Sequence, residues 1–130
     1  MDRSILADDI HKIKDPHHNC AQSVLLAFAD KIDIPKEELF KLASGFGGGM
    51  GNMEATCGAV CGAALAVGYL HGRQGELSKF AAGRVLEEFK KQVGATICGE
   101  IKGSGTGTPL CSCQDCVKIA AKLAQEELGL

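Results

Sequence analysis

Ala55-Thr56-Cys57-Gly58-Ala59-Val60-Cys61-Gly62-Ala63-Ala64-Leu65-Ala66-Val67-Gly68-Tyr69-Leu70 runs for 16 residues without a charge. It is rich in Gly and Ala and short of the roughly 18–20 strongly apolar residues that a membrane span needs. A buried core helix is therefore expected, beginning near Glu54 and ending near His71. Helical periodicity continues on both sides of it. Ile5, Leu6, Ile10 and Ile13 fall at helical spacing with Asp8, Asp9, Lys12 and Lys14 opposite, and Pro16 closes that helix. Asn19 reads as the N-cap of a helix over Cys20 to Ile32, whose Val24, Leu25, Phe28 and Ile32 recur at threes and fours. Pro35, with Glu37 and Glu38 behind it, opens a third helix that runs to about Ser44.

Beyond the core segment, Gly72 and Gly75 bracket a turn before a helix over Glu76 to Gln92. Its expected apolar face is Leu77, Phe80, Ala81, Val85, Leu86 and Phe89. After a short turn at Ile97 to Lys102 and a flexible stretch at Gly103 to Thr108, a last helix covers Cys113 to Leu128. No segment alternates apolar and polar residues over five positions, so strands are not expected. The fold class is all-α: a single-domain helical bundle of about five to six helices with a Gly-rich loop, spanning 1–130.

That loop is Gly45-Phe46-Gly47-Gly48-Gly49-Met50-Gly51, with five glycines in seven residues. No helix survives such a density of glycine. It matches neither common phosphate-binding glycine motif, although consecutive backbone N–H groups there could form an anion-binding nest for a phosphate or for the sulfurs of a cluster.

Composition narrows the function classes. A chain of 130 residues, 45% hydrophobic, is large enough to bury its own core. A formal charge of −2 with only six aromatic residues does not suit a nucleic-acid surface. Nothing at the N-terminus has the apolar stretch of a secretory leader, so a cytoplasmic location is expected. Seven cysteines, an odd number, are then unexpected as static disulfides and point to bound metal or working redox chemistry.

Cys111-Ser112-Cys113-Gln114-Asp115-Cys116 combines C-x-C with C-x-x-C at a helix start. Ser112 is the expected N-cap and Asp115 completes a capping-box-like pair. Cys113 then lies in the first turn, where free N–H groups and the helix dipole favour a thiolate. Cys57 and Cys61, four apart on one expected helix, would stand too far apart to bridge yet face one pocket. Gly58 and Gly62 beside them remove side chains, so that another backbone or an inorganic centre can approach. The alternative is that Cys57 and Cys61 are small apolar groups in a tight helix contact.

A c-type haem attachment is absent, because Val117 follows Cys116, and a paired C-x-x-C zinc ribbon is also missing. His17 and His18 precede Cys20 closely enough to join a site there, although exposure at the helix junction suits them better. His71 suits a helix C-terminus.

Taken together, the residues resemble the C_GCAxxG_C_C family of redox-active proteins over nearly the whole chain. The match rests on Asn19-Cys20-Ala21-Gln22-Ser23-Val24, on Gly47-Gly48-Gly49-Met50-Gly51, on Cys57-Gly58-Ala59-Val60-Cys61-Gly62, on Cys98-Gly99 and on Cys116-Val117. The resemblance implies a helical, redox-active protein with Cys20, Cys57, Cys98 and Cys116 as the four family cysteines, and an iron–sulfur centre in some relatives. Cys61, Cys111 and Cys113 are additional to that pattern, and Cys111 or Cys113 could take the place of Cys116 as the late family cysteine.

Three readings follow. In the first, an iron–sulfur centre serves electron transfer or redox sensing. Its metal ligands are Cys57, Cys98 and Cys116 with Cys20 as fourth or neighbour, and Gly47, Gly48, Gly49, Gly51 and Gly58 make room and offer N–H donors. In the second, a metal-free thiol–disulfide oxidoreductase uses Cys113 as nucleophile and Cys116 or Cys111 as resolving thiol. In the third, a zinc-stabilised helical module acts in protein interaction. The partner is a redox partner of unspecified identity, with no nucleic acid and no membrane span, and nothing decides against a homo-oligomer. Cys57, Cys98 and Cys116 are expected to converge, with Cys20 opening onto the same pocket and the Gly47–Gly51 loop over one side.

Overall fold

The computed structural model describes residues 1–72 and 75–130. Seven α-helices are present among them: α1 (Arg3–His11), α2 (Cys20–Leu26), α3 (Lys36–Ala43), α4 (Gly58–His71), α5 (Gly75–Val93), α6 (Cys98–Ile101) and α7 (Cys113–Leu128). The turn expected between Gly72 and Gly75 includes residues 73–74, which lie outside the described residues. The only β-pairings described are two isolated bridges, Lys14 with His17 and Thr56 with Ile97. The all-α expectation holds, and the helix beyond the expected six is the single turn α6.

Helix α4 is the core helix that its uncharged sequence demands. Ala59, Val60, Ala63, Ala66 and Val67 are all buried, against α2, α5 and α7. Its small residues set how closely those neighbours approach. A Cβ on Gly62 would stand 2.5 Å from the Ala21 carbonyl oxygen of α2. Helix α7 packs on α1, α2, α4 and α5, with Cys116, Val117, Ala120, Ala121 and Ala124 inward. Phe28 and Phe89 are fully buried in this core, each contributing about 1.5–3 kcal/mol by leaving water. No described helix is long and apolar enough to cross a membrane.

Two helix boundaries and the buried face of α5 differ from the sequence reading. Helix α2 stops at Leu26, not Ile32, and Ala29–Lys31 form a separate 3-10 turn. The α2 C-terminal region is held by the buried Arg3, whose Nη1 donates to the Ala27 carbonyl at 2.8 Å. Helix α4 begins at Gly58 rather than near Glu54, because the preceding segment pairs with 96–98: Cys57 N–H donates to Thr96 O (2.7 Å) and Cys98 N–H to Ala55 O (2.9 Å). On α5, Leu77 and Phe80 are half exposed, and only Ala81, Val85, Phe89 and Val93 are buried. The caps expected at Asn19 and Ser112 are both formed: Asn19 accepts from Gln22 N–H within a full capping box, and Ser112 accepts from Asp115 N–H.

Candidate functional site

Five cysteines line one cavity of about 80 Å3, together with Gly48, Gly58, Ile101 and Lys102. They are Cys20 from the first turn of α2, Cys57 from the residue capping α4, Cys98 from the first turn of α6, and Cys113 and Cys116 from α7. Each element delivers its thiol for a local reason. The Asn19 capping box begins α2 at Cys20, and the Ser112 cap begins α7 at Cys113, placing Cys116 one turn on. The short antiparallel pairing of 55–57 with 96–98 sets Cys57 opposite Thr96 and Cys98 opposite Ala55, on either side of the Thr56–Ile97 bridge, and both thiols line the cavity.

Glycines supply the remaining closeness. A Cβ on Gly58 would stand 2.8 Å from Phe46 O and 3.5 Å from the Cys20 Cβ, so glycine there lets the start of α4 meet the start of α2. Gly49, with φ 61°, lies under Cys98, where a Cβ would come within 2.5 Å of the Cys98 Cβ. The glycine stretch itself is a 3-10 turn over Ser44–Phe46 and a π-type turn over Gly49–Met53 containing left-handed residues. Gly48 lines the cavity and Gly47 packs on the Asn19 side chain, whereas a Cβ on Gly51 would face open space.

The thiols influence one another in two groups, Cys113 with Cys20, and Cys116 with Cys57 and Cys111. The Cys20 thiol and then the Lys102 ammonium, which bonds directly to Cys113 Sγ, lower the Cys113 thiol to about 5. Cys20 is correspondingly raised, by the neighbouring Cys113 and by burial. The Cys116 thiol, aided by the Ala59 and Val60 N–H groups at the start of α4, lowers Cys57 to about 7 and is itself raised. Burial raises Cys98 and Cys111. It opposes the charge on Lys102 as well, but the Cys113 contact outweighs it and the lysine stands above its ordinary value.

Cys61 is not in the pocket. Because Cys57 precedes α4 instead of sitting within it, the two cysteines do not share a helical face, and the Cys61 thiol donates to Thr56 O at 3.8 Å. His18 packs edge-on against Phe40 and bonds to Pro16 O, away from the thiols. His11, which the sequence does not single out, is the histidine at the site: Nε2 lies 3.8 Å from Cys20 Sγ and Nδ1 lies 3.3 Å from Gln114 Oε1. Lys102 was equally inconspicuous, since a lone lysine after a helical turn ordinarily faces water. Among the described residues, no three His, Cys, Asp or Glu side chains form a group that could hold a metal ion as they stand.

What this arrangement offers is redox chemistry at sulfur, in a pocket with several thiols, one ammonium and little room. No curated protein and no solved structure matches the chain. The family model described as "Putative redox-active protein (C_GCAxxG_C_C)" matches residues 18–127, and the chain belongs to that family.

Proposed function

We propose that residues 1–130 act as one redox domain whose cysteine pocket holds an iron–sulfur centre for electron transfer or redox sensing. Cys57, Cys98 and Cys116 are the buried ligands in this reading and Cys20 is the fourth. The observation that carries it is the convergence of five thiols from four separated elements on one cavity. A dithiol exchange enzyme needs two thiols and leaves the other three without a reason to be there.

The lining fits such a group in size and in donor chemistry, and its thiols must draw closer on loading to ligate it. A volume of about 80 Å3 admits a compact inorganic group, whereas organic cofactors occupy pockets of about 300–1,000 Å3. The lining is thiol, glycine, isoleucine and one lysine, the soft donor set that iron–sulfur centres take. A multinuclear centre spreads its ligands over several metal atoms, so five thiols around one cavity suit it better than they suit one four-coordinate zinc ion. Bound there, the centre supplies one-electron transfer at a potential set by charge, burial and hydrogen bonds to sulfur. The chain contributes the Ala59 and Val60 N–H groups at Cys57, the Lys102 ammonium, and an apolar wall that limits water.

Anaerobic purification followed by iron, sulfide and zinc analysis tests the reading. Equimolar iron and acid-labile sulfide are expected, with visible absorbance that bleaches on reduction. A protein that is iron-free and stays so after reconstitution with iron and sulfide removes it, and a zinc-only protein replaces it with the zinc-stabilised module. The second reading, metal-free thiol–disulfide exchange, is favoured by one specific observation: the bond between Cys113 and Lys102.

A further inference from the structure

The pocket thiols fall into two tiers. Cys57, Cys98 and Cys116 are buried, whereas Cys20 and Cys113 are partly exposed. The outer two line the same small cavity although 93 residues (113 − 20) separate them, each being the first residue of its helix. Lys102 bonds to the Cys113 sulfur from one side, and His11 contacts the Cys20 sulfur from the other. The proposed ligand set of Cys20, Cys57, Cys98 and Cys116 leaves Cys113, and the lysine placed on it, without a role.

We propose that Cys20 and Cys113 form a dithiol–disulfide couple at the outer side of the pocket, one that exchanges with low-molecular-weight disulfides. Cys113, as the thiolate beside the Lys102 ammonium, attacks one sulfur of the small disulfide RSSR. The S–S bond of RSSR breaks, RS⁻ leaves, and a mixed disulfide forms on Cys113. The Cys20 sulfur then attacks the Cys113 sulfur and forms the Cys20–Cys113 bond. The second RS⁻ departs with the Cys20 proton as RSH. Two electrons pass from the protein to the small disulfide, and no other oxidant is required. The buried Cys57–Cys116 pair reacts later, because a reagent reaches it only past the outer pair.

The couple has a consequence for the pocket. Once Cys20 is bound to Cys113 it no longer offers a free thiolate, so an oxidised protein loads a centre poorly. That consequence rests on the iron–sulfur reading; the disulfide itself does not.

The test uses the full-length, metal-free, reduced protein and oxidised glutathione as the probe. Intact mass is expected to fall by two hydrogens, and non-reducing peptide maps to link the peptide containing Cys20 to the peptide containing Cys113. Cys111→Ser and Cys116→Ser should keep the link. Cys113→Ser should lose it, and Lys102→Met should slow it several-fold with an unchanged circular dichroism spectrum. A first linkage at Cys57–Cys116 or Cys111–Cys113, or glutathione adducts that never resolve, overturns the proposal. The wild-type map alone decides this if a variant fails to fold. In a second arm, iron and sulfide are added anaerobically to reduced and to glutathione-oxidised protein. Loading of the reduced form only is expected, and equal loading of both overturns the effect of the couple on the pocket. Failure of the reduced form to load removes the iron–sulfur reading and leaves the peptide map to judge the couple.

Discussion

At Gly49 the backbone holds φ 61° while the space where a Cβ would sit is occupied by the Cys98 Cβ and by Ala55 O, 2.5 and 2.8 Å away. Gly51 has φ 87° but open space around it. The two positions therefore separate backbone strain from steric displacement. Gly51→Ala is expected to cost about 1–2 kcal/mol from left-handed strain alone. Gly49→Ala adds an overpacking penalty of about 1–3 kcal/mol and displaces Cys98 from the cavity lining. Urea denaturation measures the difference, and faster alkylation of Cys98 should accompany Gly49→Ala only. The cysteines divide in the same manner. Cys61 lies outside the cavity and Cys98 lines it, so Cys61→Ser should keep the iron and sulfide content of the reconstituted protein and Cys98→Ser should lower it. Equal losses in both variants would contradict the proposed ligand set.

At the scale of single elements, two helix starts position the outer thiols and one close contact holds α4 against α2. Ser112 accepts from Asp115 N–H and so decides where α7 begins. Ser112→Ala should cost about 1 kcal/mol and make Cys113 more mobile, visible as faster hydrogen exchange in the first turn of α7. The α2–α4 contact depends on Gly62, whose missing Cβ leaves room for Ala21 O and the Ala21 Cα. Gly62→Ala raises intrinsic helix propensity by about 1 kcal/mol, yet the clash with backbone outweighs that gain. A net destabilisation of about 1–2 kcal/mol in a urea melt is expected, the reverse of what an exposed helical glycine would give.

Across the whole molecule, the N-terminus ties the bundle together. Arg3 is buried against Phe28, its guanidinium pairs with Asp30, and its backbone N–H donates to Gln125 Oε1 on α7 at 2.9 Å. The Arg3 hydrogen bond holds the Asp30 carboxyl below its ordinary value. Because the folded value lies below the unfolded one, the stabilisation is complete above the unfolded pKa and is lost as pH falls through the folded pKa. The stability difference between wild type and Asp30→Asn should therefore be largest near neutral pH and shrink below about pH 4, as paired urea melts at pH 7 and pH 3 would show. A difference that is constant across that range would mean the ion pair contributes nothing measurable.

How far the sequence reaches is clearest where local and distant forces part. The helix starts at Cys20 and Cys113 are legible because Asn19 and Ser112 cap them with side chains only three residues from the N–H groups they satisfy. The core character of α4 is legible because an uncharged helix has no face to present to water. The stop of α2 at Leu26 and the start of α4 at Gly58 are not, since Arg3 reaches the first from 24 residues away and Thr96 pairs with the segment before the second. The half-exposed Phe80 misleads for the same reason: periodicity marks a face, but only a neighbour covers it. The sequence by itself determined an all-helical chain with redox-capable thiols, because helix periodicity, caps and the chemistry of sulfur are local properties. Which thiol meets which was decided by tertiary structure alone, as was the presence of His11 and Lys102 beside them. Those contacts arise when α1 packs on α2 and α7, α2 and α7 pack on α4, and α6 meets the Gly49–Met53 turn, and no spacing along the chain encodes the distance between side chains that only packing brings together.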